Sequence, residues 1–136
     1  MDKLNILISY LVAICNFAKD IHYTCKGEAF YSKHLLADKI CDGLDEHIDS
    51  IKEIFFMAAD KTPLSSGEYL SRATSLIPVI TSDDKKNFEL MSNLLVSALE
   101  HIESITDLTR GESSLIDAVA QDLQQSLALV NFQIKE

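Results

Sequence analysis

The stretch His22-Tyr23-Thr24-Cys25-Lys26-Gly27-Glu28-Ala29-Phe30-Tyr31-Ser32-Lys33-His34, followed fifteen residues later by Asp49-Ser50-Ile51-Lys52-Glu53, decides how this chain reads. Two imidazoles and two carboxylates suit Fe(II), Mn(II) or Zn(II). Asp49 and Glu53 are four apart, so on a helix they share a face. The pattern predicts one helix carrying both His34 and Asp49. At about 1.5 Å of rise per residue, their separation on a straight helix is roughly 22 Å. Metal–ligand bonds are about 2 Å long, so one such helix cannot bring both residues to one ion. Two antiparallel copies related by a two-fold axis can, and they would form two equivalent sites. Metal binding by all four residues therefore implies at least a dimer.

Outside that stretch the chain reads as one small α-helical domain spanning residues 1–136. With 136 residues it holds one core, and 4 Gly, 2 Pro and long periodic runs favour helices. The formal charge of −9 argues against a generic binder of phosphate backbones. Cys15, Cys25 and Cys41 are odd in number and lack C-x-x-C spacing. They read as reduced cytoplasmic thiols, Cys15 and Cys41 as small core residues, with a redox or ligand role open for Cys25. Leu4 to Ala18 lacks a basic leader and reads as a buried helix, too short and too polar for a membrane span.

Four long helices are predicted. The first, Asp2 to Cys25, is apolar on more than one side and stops near Lys26-Gly27. The second runs unbroken from Ala29 to Ala59, with Gly43 inside it read as a point of close approach for a neighbour. The segment Asp60 to Ser82 holds both prolines and Ser65-Ser66-Gly67-Glu68, a capping-box pattern that starts a short helix through about Ser75. The third starts near Ser82 and stops around Thr109-Arg110-Gly111. The fourth runs from Glu112 to Ile134. A long crossover between parallel helices makes this an all-α, ferritin-like four-helix bundle. The E-x-x-H motifs of intra-subunit di-iron bundles lack a useful match here. Asp38, Asp42, Asp45 and Glu46 read as a solvated face or a cavity lining, His47 as a solvated, interface or supporting histidine, and His101 as a surface residue.

The segment Ile21 to Met57 resembles the Dps family of mini-ferritins, whose first block has the form H-W-x-V-K-G-x-x-F-x-x-L-H. His22, Lys26-Gly27, Phe30 and His34 fall in register with it. The family's H-I-D-E-I-A-E appears as His47-Ile48-Asp49-Ser50-Ile51-Lys52-Glu53, and its G-T-P-L and E-Y-L crossover as Lys61-Thr62-Pro63-Leu64 and Glu68-Tyr69-Leu70. Tyr23 stands where the family has Trp and Lys52 where it has a small Ala. Trp is absent, and so is the Lys-rich tail of the DNA-binding members. The resemblance implies a hollow homo-dodecamer with ferroxidase centres at two-fold interfaces. Each centre would take His22 and His34 from one subunit and Asp49 and Glu53 from its mate. It further implies oxidation of Fe(II), usually by hydrogen peroxide, and storage of ferric iron. DNA and membrane binding are not expected. A ferritin-like oligomer with a structural or binding role and no redox activity remains the alternative, favoured by Lys52 and the missing Trp.

Overall fold

Residues 2–135 are described by a computed structural model, which is helical with no strand among them. Helix α1 spans Asp2–Thr24, α2 Phe30–Cys41, α3 Leu44–Ile51, α4 Ser66–Thr74, α5 Asp84–Glu103 and α6 Arg110–Ile134. Helix α3 runs on into one π-helical segment, Lys52–Met57.

Helix α1 is the centre of the bundle because its apolar residues surround it. Leu7, Ile8, Leu11, Ile14 and Phe17 are fully buried, and the helix packs on α2, α3, α4 and α5. Each such side chain contributes about 1.5–3 kcal/mol by leaving water. At 23 residues, with a mean hydropathy of 1.4 over its most apolar window, α1 is long and apolar enough to cross a bilayer. The stretch Leu4 to Ala18, expected to be too short and too polar to span a bilayer, is the middle of this longer helix. In the fold those side chains pack against other helices instead.

Contacts between helix ends fix the directions. The Lys3 carbonyl accepts from His101 at the end of α5, while Asp84 at its start reaches Lys26 and Lys33. Helices α1 and α5 are therefore antiparallel, and α2 and α5 both start at the end where α1 turns into α2. The segment from Ala58 to Asp83 must travel the length of the bundle between them. Halfway along, Ser65 caps α4 by accepting from the Glu68 N–H, as the S-x-x-E pattern predicted. Tyr69 then ties α4 to α1 through Asn5.

Three local expectations are corrected. The second helix is not continuous: Asp42 is extended and Gly43 is left-handed at φ +82°. Within the chain a Cβ built on Gly43 would meet nothing within 4 Å, and the glycine supplies the left-handed backbone of the break. His34 and Asp49 thus lie on different helices. Thr109 is a start, not a stop. Its hydroxyl accepts from the Glu112 N–H and the Glu112 carboxylate accepts from the Thr109 N–H, a reciprocal cap for α6. Cys15 and Cys41, read as separate thiols, form a disulfide with Cα atoms 4.5 Å apart. Each lies seven residues from its histidine, Cys15 before His22 and Cys41 after His34. In an antiparallel hairpin those offsets bring the cysteines opposite each other two turns from the histidine pair.

Candidate metal centre

His22 closes α1 and His34 sits in the second turn of α2. The connection between them reverses the chain in five residues. Two of these adopt left-handed backbone, Gly27 at φ +74° and Ala29 at φ +57°. The reversal stacks the two imidazoles with ring centroids 3.6 Å apart and planes 20° from parallel. Each ring also binds the other's backbone: Nδ1 of His22 lies 3.0 Å from the His34 carbonyl oxygen, and Nδ1 of His34 lies 2.9 Å from the His22 carbonyl oxygen.

These contacts assign the tautomer by chemistry. A carbonyl oxygen only accepts, so both Nδ1 atoms must carry hydrogen. In the neutral rings both Nε2 atoms are then unprotonated and hold free lone pairs. Metal-binding histidines are commonly oriented in this way, by a hydrogen bond from the ring nitrogen that does not bind the metal. Aromatic neighbours hold the rings from the side. Phe30 stacks on His34 at 5.2 Å and Tyr23 meets His22 edge-on at 5.1 Å.

The carboxylate half is built differently. Asp49 lies in α3 and Glu53 in the π-helical segment, and both are exposed. The wide turn is marked by the Ala58 N–H donating to the Glu53 carbonyl at 2.8 Å. Single π turns inserted in α-helices often occur at functional positions. Neither carboxylate has a hydrogen bond or ion pair among the described residues. Beside Glu53 lies an open depression of about 400 Å³, lined by Lys52, Met57, Lys61 and Pro63 among others. Lys52 is engaged elsewhere, its ammonium 5.0 Å from the centre of the Tyr69 ring.

The structure brings His22 and His34 together and leaves Asp49 and Glu53 apart from them. Among the described residues, no three His, Cys, Asp or Glu side chains gather as one metal site. Asp38, one helical turn after His34, is exposed and is not gathered with the histidine pair.

The other two histidines have partners that the sequence did not reveal. His47 Nε2 lies 2.9 Å from Asp122 Oδ2, and His101 packs against Tyr10 as well as binding Lys3. Asp122 also receives Lys39 at 3.5 Å. Lys39 precedes the Gly43 break and His47 follows it, so one carboxylate on α6 grips both sides of the break.

No family model matches the sequence, and no curated protein matches it.

Proposed function

We propose that this protein is a ferritin-like, Dps-like ferroxidase that oxidises Fe(II) with hydrogen peroxide and stores ferric iron. Its sites would be shared between two copies of the chain. The reading rests on the stacked His22–His34 pair, whose mutual Nδ1 bonds leave both Nε2 atoms free. Two neutral imidazoles hold Fe(II) well, but the harder Fe(III) product favours oxygen ligands. Asp49 and Glu53 would supply those oxygens from the partner. Two Fe(II) ions give up one electron each, and peroxide takes both with two protons to become two waters.

Surface chemistry supports a two-fold pairing. Tyr23, Phe30, Tyr31 and Leu35 stand exposed around the histidines, and Ile54 and Met57 stand exposed beside Glu53. Antiparallel pairing of the α2–α3 arm with its mate would set the aromatic patch of one copy against the apolar rim and depression of the other. Aromatic residues and Met are the types enriched at such interfaces. Lys52, held over Tyr69, would not compete for Glu53. Assembly into a dodecamer belongs to the same proposal. The formal charge of −9 goes with little affinity for duplex DNA at physiological salt.

A catalytically silent helical oligomer is the second reading. It is favoured because no three His, Cys, Asp or Glu side chains gather as one metal site among the described residues. Anaerobic Fe(II) loading followed by peroxide separates the two. Stoichiometric conversion to ferric iron, lost in His22→Ala, supports the ferroxidase. Conversion no faster than in buffer would leave only the structural role. Light scattering on the same sample tests the assembly, and a stable monomer would remove the shared site.

A further inference from the structure

We propose that Asp84 is a positioning residue for the His22–His34 pair, acting through the backbone N–H of Lys26 and the ammonium of Lys33; the proposal rests on the metal-site reading above.

Asp84 opens α5 and is distant in sequence from both histidines. Its Oδ2 nonetheless accepts from the Lys26 N–H at 3.1 Å and from Lys33 Nζ at 3.0 Å. Lys33 Nζ also donates to the Lys26 carbonyl at 3.3 Å. One carboxylate oxygen therefore ties the first loop residue after Cys25 to the residue just before His34. Both side chains of the ion pair are mostly shielded, at 18% and 17% exposure, where solvent screening is weaker than at the surface.

The connection needs such a tie. Ala29 at φ +57° is a non-glycine residue in left-handed backbone, a conformation that persists only when its surroundings enforce it. Within the loop, the Phe30 N–H reaches the Gly27 carbonyl at 3.1 Å. The reciprocal histidine bonds are donated to backbone carbonyls, so moving the backbone by a fraction of an ångström moves the rings. Asp84 is not needed to cap its own helix. Asp83 does that, its side chain accepting from the Lys86 N–H at 3.3 Å, which leaves the Asp84 carboxylate to the loop.

Co(II) serves as the probe, because its visible spectrum reports the ligands directly. Asp84→Ala should weaken Co(II) binding by about 10-fold or more, the range found when an outer partner of a metal ligand is lost. Hydrogen exchange at the Lys26 amide should accelerate. Asp84→Asn keeps an oxygen acceptor for that amide and should recover most of both. Folded, assembled Asp84→Ala protein with wild-type Co(II) affinity would overturn the proposal, even if it melted earlier, because the residue would then only stabilise the fold. Wild-type protein that binds no Co(II) would sink the metal reading instead. The exchange measurement alone would then decide whether Asp84 holds the loop, and unchanged exchange would overturn that too.

Discussion

The histidine half and the carboxylate half of the candidate site are held to different degrees. His22 and His34 come from two helices, are half-buried, and have their ring positions fixed by hydrogen bonds, stacking and a braced loop. Asp49 and Glu53 share one arm, face solvent and have no polar partner among the described residues. Imidazole has one donor and one acceptor face, so its orientation must be set before a metal arrives. An exposed carboxylate rotates at little cost and can be oriented by the ion itself. One chain thus carries a braced pair and a solvent-facing pair, and on the proposed reading a second chain joins them.

The largest effect should come from separating the halves genetically. His22→Ala and Asp49→Ala should each lose iron oxidation by at least about 100-fold, since on the proposed reading each would remove a direct ligand rather than an outer partner. Mixed before assembly, they should complement. In a mixed two-fold dimer one site loses both ligands and the other keeps all four. Random mixing therefore restores roughly a quarter of the sites. Peroxide-dependent Fe(II) oxidation by co-assembled mixtures checks this, and continued inactivity would show that the halves never meet.

A smaller effect should follow from loosening the join between the halves. Asp122→Ala removes the clamp from Lys39 and His47 across the Gly43 break. Allowing for partial exposure, the cost to stability is about 1 kcal/mol. Iron oxidation should fall several-fold while Co(II) binding at the histidine pair stays near wild type. Equal losses of both would mean that the clamp holds the whole bundle and not the junction.

The same contrast explains what could be read from the sequence. Helix positions followed from apolar periodicity, and the two histidines from their registered spacing. The break at Gly43 was hidden because the apolar stripe Ile40, Leu44, Ile48 keeps its four-residue step straight across it. Only the Asp42-Gly43 dipeptide, a turn signal, marked it. The Cys15–Cys41 pairing was legible in retrospect, from offsets that mirror the histidine pair. Thr109 to Glu112 is a capping-box spacing passed over in favour of Gly111 as a stop. Nothing local announced the π turn or the reach of Asp84 and Asp122, which depend on how distant helices meet.

The smallest effect on iron oxidation concerns the support beneath the carboxylate half. Tyr69 is nearly fully buried. Its hydroxyl donates to Asn5 Oδ1 at 2.6 Å and accepts from the Leu64 N–H at 3.1 Å. Burial pushes its phenol above the ordinary tyrosine range, with the Leu64 N–H and Arg72 pulling back and Glu68 adding a smaller push upward. A raised folded-state pKa means that this contribution is fully present below the unfolded value of about 10, and is lost as pH rises through the folded value. Tyr69→Phe leaves the Asn5 oxygen and the Leu64 N–H unmatched, at about 1–2 kcal/mol near neutral pH. The gap between wild type and Tyr69→Phe should then narrow above about pH 10, because only the wild type must ionise a buried phenol to follow the solvent. Chemical denaturation from pH 8 to 11 measures this, and a gap that stays constant would place the hydroxyl outside the stability of the crossover. Lys52 would lose its aromatic partner in neither protein, so iron oxidation at neutral pH should change less than in any variant above.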